Sequence, residues 1–207
     1  MLVLVPGMGM SAGDFDSKGM VSAVAQCGWQ VTVATVDPGL ESYVDGTLET
    51  RLLAGVAEAQ RDAGARRVWL AGISLGCQAI LRCVRLRPNL LEGLILLTPY
   101  LASTGLIAEV TRRGGLSRWA KENDDGNDIE RGLLRWLATA EPADLPRILV
   151  GQALGDRFVA TAALLAKILP ENQVISVSGG HDWASWCLLW DLILRGNPFG
   201  LPAAVTS

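Results

Sequence analysis

The sequence predicts a doubly wound α/β domain on a mostly parallel six-stranded sheet. Short apolar runs rich in Val, Leu and Ile recur along the chain, and segments with helical apolar spacing fill most of the gaps between them. Runs such as Leu94-Ile95-Leu96-Leu97 are continuously apolar, as strands buried on both faces are.

Taken in order, Leu2–Val5 reads as a buried strand ended by Pro6-Gly7, and Ser11 to Gln26 as a helix. Gln30–Val36 is the second strand, with Val31, Val33 and Val36. Thr47 is placed to cap a helix carrying Leu48, Leu52, Val56, Ala59 and Ala63 at intervals of three or four, ended by Gly64. Arg67–Ala71 is the third strand, followed by a helix from Leu75 to about Leu86. Gly93–Thr98, Arg147–Val150 and Gln173–Val177 complete the strands, and helices are expected over Arg157–Ile168 and Asp182–Leu194. Helices of this length between strands imply right-handed crossovers and a parallel sheet.

Residues 99–146 are too long for a simple crossover. They are expected to form a small helical cap or lid inserted in one domain spanning 1–207. The segment holds an amphipathic helix with Ile129, Leu133, Leu134 and Leu137 on one face and Arg131 and Arg135 away from it.

Composition narrows the function classes. The chain has 207 residues, 50% hydrophobic and 19% charged, enough for one well-cored domain. A net charge of −3 leaves no basic surplus for nucleic acid. Arg112, Arg113, Arg118 and Lys121 cluster, but Glu122, Asp124, Asp125 and Asp128 follow at once, as on a solvated surface segment. Cys27, Cys77, Cys83 and Cys187 lack the close pairing of a zinc site and read as buried thiols of a reducing compartment. No apolar run approaches the about 18 residues of a membrane span, and the N-terminus lacks the pattern of a signal peptide. A cytoplasmic location is expected, with no metal and no cofactor.

The chemistry concentrates at the strand ends. In Ala71-Gly72-Ile73-Ser74-Leu75-Gly76 a serine sits between strand and helix, with small residues two positions away on each side. A sharp strand-to-helix turn needs that spacing, and it lifts the hydroxyl above the carboxyl end of the sheet. His181, the chain's only histidine, lies just past the sixth strand and can serve as the base. Asp156, after the fifth strand, can orient the imidazole or cap the helix it precedes. Asp182 is better placed to cap the last helix, while Asp37 and Asp144 are weaker rivals. After the first strand, Pro6-Gly7-Met8-Gly9-Met10 can present the Met8 N–H beside that of Leu75 as an oxyanion hole. Neither phosphate-loop nor dinucleotide glycine spacing is present. Met10 and Phe15 are expected at the mouth of the site, and Trp119 and Trp136 to line it from the cap. Trp183, Trp186 and Trp190 fall at helical spacing and read as core.

With Leu-Val-Pro-Gly-Met-Gly, Gly72-Ile-Ser74-Leu-Gly76, Gly155-Asp156 and Gly180-His181 in place, the chain resembles the α/β-hydrolase superfamily over most of its length outside 99–146. His181-Asp182-Trp183-x-x-Trp186 is also similar to the histidine segment of small carboxylesterases related to esterase D. The resemblance implies an eight-stranded fold lacking its first two strands, and a triad of Ser74, Asp156 and His181. Pro6-Gly7 departs from the His-Gly that many members carry there, which leaves the backbone donor in place and the substrate open. The function expected is hydrolysis of a carboxylic ester through an acyl-enzyme intermediate, with a small-molecule acyl ester or thioester as partner. Thioester hydrolysis or acyl transfer on the same site is one alternative, and a silent binding or scaffold member is another.

Overall fold

The structure is a computed structural model and describes residues 1–122, 128–141 and 145–202. Asp124, Asp125 and Asp144 lie outside the described residues.

Six strands form one sheet: β1 (Leu2–Val5), β2 (Val33–Thr35), β3 (Trp69–Ile73), β4 (Gly93–Leu97), β5 (Arg147–Ala153) and β6 (Val174–Val177), in the order β2-β1-β3-β4-β5-β6. Every neighbouring pair is parallel. The chain leaves β1 for β2 on one side and returns to β3 on the other. A crevice therefore opens past the carboxyl ends of β1 and β3, where open α/β sheets bind their ligands.

The continuous apolar strands feed two cores by simple alternation. Val3, Val5, Leu70, Leu94, Leu96, Ile148 and Val150 face one. Leu2, Leu4, Trp69, Ile95, Leu97 and Leu149 face the other. The first core is covered by α4 (Leu48–Asp62), α5 (Leu75–Leu86), α8 (Ile129–Thr139) and α9 (Val159–Ala166), with α6 (Thr104–Arg112) and α7 (Leu116–Glu122) extending it. The second is covered by α1 (Asp14–Ser17), α2 (Met20–Gln26) and α10 (Trp183–Arg195). Residues 75–84 of α5 are all buried, so this helix is apolar or tightly paired on every side. Among the described residues no helix is long and apolar enough to cross a membrane.

Several expectations need correction. The single helix over Ser11–Gln26 is two helices, because Gly19 takes a left-handed conformation (φ 81°) between them. Thr47 does not cap α4 with its side chain; its hydroxyl donates instead to Asp45 Oδ1 at 2.6 Å. Strand β3 runs two residues further than expected, to Ile73, and β5 three further, to Ala153. A four-residue helix α3 (Ser42–Asp45) was not anticipated, while α6 and α7 fall in the 99–146 segment that was expected to be helical without being delimited. In α8, Leu133, Leu134 and Leu137 are buried as expected, but Ile129 is 48% exposed.

Candidate active site

Glycine builds the turn that carries Ser74. A Cβ on Gly72 would lie 2.8 Å from the Gly76 carbonyl carbon and 2.9 Å from Cys77 N. One on Gly76 would run into the carbonyl oxygens of Val5 and Pro6, the latter at 2.7 Å. Only hydrogen fits at either place, so β3 turns tightly into α5 and α5 abuts the exit of β1. Ser74 itself adopts φ 53°, ψ −116°, a strained conformation for a residue with a side chain. Backbone bonds from Ser74 N to Leu97 O (3.0 Å) and from Tyr100 N to Ser74 O (3.1 Å) hold it against the end of β4.

Glycine also joins the two loops on the other side. Gly155 N donates to Gly179 O at 2.8 Å, and a Cβ on Gly155 would sit 2.7 Å from that oxygen. Gly180 N donates to Ser185 Oγ (3.0 Å), tying the β6 loop to the start of α10. Asp182 accepts from Ser185 N and caps α10, as the sequence suggested.

These loops bring three side chains into line. His181 Nε2 lies 2.9 Å from Ser74 Oγ, and His181 Nδ1 lies 2.6 Å from Asp156 Oδ2. Asp156 and Ser74 are buried, and the imidazole is nearly so. The second carboxylate oxygen of Asp156 accepts from Phe158 N at 2.6 Å in the turn before α9, whose N-cap is Phe158 and not Asp156. Phe158 and Trp186 meet the imidazole edge to face, with centroids 5.0 and 5.2 Å away. Asp37 is engaged elsewhere and accepts from Gly39 N.

Leu75 opens α5, so its N–H has no partner within the helix. Met8 follows β1 in a turn that Gly7 presses onto the site: a Cβ there would lie 3.2 Å from Ser74 Cβ and 2.9 Å from Ile73 O. Met10 supports this turn, its sulfur accepting from Gly7 N at 3.2 Å.

A cleft of about 440 Å³ runs from Ser74 and Leu75 outward. Its rim includes Met8 (67% exposed), Leu40 (55%), Val44 (89%) and Ile129 (48%). Tyr100 and Phe158 also line it, packed edge to face on one another. Tyr100 donates to Glu130 Oε1 at 2.7 Å, and Glu130 Oε2 accepts from Ser103 N at 2.8 Å, so α8 is tied to the β4 exit. Loss of hydration, and then the Glu130 carboxylate, push the Tyr100 phenol up to about 12.

Three residues expected at the site are elsewhere. Phe15 is buried in the second core, edge to face on Trp183. Trp119 is wholly buried and donates to Glu109 Oε1 at 2.9 Å, because the apolar face of its helix turns inward to α8. Trp136 is half-buried against the first core. The cleft is lined instead by Leu40, Tyr43, Val44, Tyr100 and Phe158, which sequence spacing did not single out. Thr98 was missed as well: its Oγ1 lies 3.3 Å from His181 Nδ1. The four cysteines are unpaired thiols, and among the described residues no three His, Cys, Asp or Glu side chains gather as metal ligands.

Residues 2–203 match the family model described as the Alpha/beta hydrolase family. Similar solved structures include an S-formylglutathione hydrolase from Staphylococcus aureus, with 15% identity and a TM-score of 0.65 over 94% of this chain and 79% of that one. A ferulic acid esterase is 14% identical with a TM-score of 0.64, over 96% and 83%. A monoacylglycerol lipase from Paleococcus ferrophilus is 15% identical with a TM-score of 0.55, over 94% of each chain. At these identities the likeness bears on the fold. Comparison with curated proteins finds no match.

Proposed function

The chain belongs to the alpha/beta hydrolase family, and from that premise we propose that it hydrolyses carboxylic esters through an acyl-enzyme on Ser74. The observation that carries this reading is the continuous Ser74 Oγ–His181 Nε2 and His181 Nδ1–Asp156 Oδ2 contact at 2.9 and 2.6 Å.

In this mechanism Ser74 Oγ attacks the ester carbonyl carbon as His181 Nε2 takes its proton. Asp156 keeps the Nδ1–H tautomer and offsets the imidazolium charge. The Met8 and Leu75 amides meet the oxyanion, helped by the positive end of α5. The tetrahedral intermediate collapses, the C–O bond to the alcohol breaks, and Nε2 returns the proton to the departing oxygen. Water then enters, loses its proton to Nε2 and attacks the acyl carbon. Collapse frees the carboxylic acid and restores the Ser74 hydroxyl.

The apolar rim supports an ester with a hydrocarbon acyl or alcohol group, since exposed apolar side chains gathered at one cleft mark a binding surface. On the same reading the described part of residues 99–146 forms a cap: Ile129 and Glu130 of α8 stand on the cleft wall.

The test is fluorophosphonate labelling with mass spectrometry of the modified peptide, beside hydrolysis of p-nitrophenyl butyrate. Label on Ser74, with turnover reduced at least about a thousandfold in Ser74→Ala, is expected. Turnover retained in a folded Ser74→Ala variant rejects the proposal.

A further inference from the structure

Thr98 follows the last residue of β4 and is almost wholly buried. Its φ of 41° is rare for a β-branched residue and persists only where the surroundings over-determine it. The backbone is held by Thr98 N donating to Gly151 O at 2.8 Å. The side-chain oxygen has two neighbours: Trp186 Nε1 at 2.8 Å and His181 Nδ1 at 3.3 Å. An indole N–H only donates, so the Thr98 oxygen accepts from Trp186.

The proton on the imidazole follows from the other contact. At 2.6 Å, Nδ1 and Asp156 Oδ2 need a hydrogen between them, and the triad reading assigns it to Nδ1 with the carboxylate as acceptor. The Thr98 oxygen then faces that same N–H with its remaining lone pair. Phe158 and Trp186 pack against the ring, and a second acceptor from another strand adds a directional restraint on its rotation about the Nδ1···Oδ2 line.

We propose that Thr98 is a positioning residue for His181. Held by the Trp186 indole, it acts as a second acceptor for Nδ1–H and keeps Nε2 aimed at Ser74. This rests on the reading of Ser74, His181 and Asp156 as an acyl-transfer triad. Asp156 supplies the charge, while Thr98 supplies the angle. Trp186, taken from its spacing as core, also carries a polar duty through its N–H.

Three variants test this. Thr98→Val keeps shape and removes the oxygen, Thr98→Ser keeps the oxygen, and Thr98→Val/Trp186→Phe also removes the donor that Thr98→Val strands. For p-nitrophenyl butyrate, kcat is expected to fall about tenfold in Thr98→Val, the scale of one lost hydrogen bond, with KM within about twofold. Thr98→Ser should recover to within about threefold of the parent, and the double variant should stay as slow as Thr98→Val. Because His181 is the only histidine, selective 15N-histidine labelling reports it alone. The Nδ1 proton resonance should be present in the parent and Thr98→Ser, and broadened by exchange in Thr98→Val.

Parent kcat in Thr98→Val, a Thr98→Ser as slow as Thr98→Val, or an unchanged histidine spectrum overturns the proposal. So does recovery of kcat in the double variant, which would make the role one of packing. A parent protein inert toward a panel of esters overturns the hydrolase reading itself. An active parent with an unaffected Thr98→Val overturns only this inference.

Discussion

Ser74 and Thr98 stand at the ends of neighbouring strands with positive φ, and each has its hydroxyl against a different nitrogen of His181. Strain at two adjacent strand ends is what lets both oxygens reach one ring. The glycines around Ser74 carry the cost of that geometry. Gly76→Ala is expected to destabilise the fold by about 2 kcal/mol or more, since its Cβ meets backbone carbonyls that cannot swing aside. A urea melt checks this, and a midpoint unchanged from the parent contradicts it. Ser74 and its glycines were legible because strand, turn and helix signals are local. Thr98 was not, because nothing within β4 marks a threonine that meets a ring 83 positions away.

At the scale of elements, the segment between β4 and β5 is held by polar links as well as by its apolar face. Glu109 of α6 pairs with Arg131 of α8 at 2.7 Å and accepts from Trp119 of α7. The Arg131 bonds, and then the Trp119 N–H, hold the Glu109 carboxyl down to about 2. A depressed carboxyl stabilises the fold above the ordinary glutamate range, and that contribution disappears as pH falls toward 2. Glu109→Gln should therefore melt below the parent at pH 7, with the gap closing near pH 2. Thermal melts at the two pH values measure it, and a gap that persists at low pH excludes this account. Glu130 makes a second link, to Tyr100 and Ser103. The α8 pattern was readable from its apolar spacing. The ties between helices were not, because they depend on which charged faces meet after packing.

For the whole molecule, the order β2-β1-β3 places the Pro6-Gly7-Met8 turn beside Ser74, and the added strands β4 to β6 deliver Thr98, Asp156 and His181 to the same rim. The cleft then reaches outward past Met8, Leu40, Val44 and Ile129, which come from three separate parts of the chain. If they receive a hydrocarbon chain, kcat/KM should rise from p-nitrophenyl acetate to hexanoate by up to about fourfold per methylene, at roughly 0.8 kcal/mol each. Val44→Ser/Ile129→Ser should flatten that rise and leave acetate hydrolysis within about twofold. A flat series in the parent refutes the apolar substrate class.

By itself the sequence determined the alternation of strands and helices, the parallel sheet, and the serine, aspartate and histidine at its rim. Each of these depends on short-range periodicity or on turn chemistry confined to a few residues. Only the tertiary structure decided what surrounds them. It took Trp119 and Phe15 out of the expected site and into the cores, and it brought Leu40, Val44, Tyr100 and Phe158 into the cleft. A side chain's neighbours across a fold depend on how helix faces pack, and an apolar residue satisfies a core and a binding wall by the same burial.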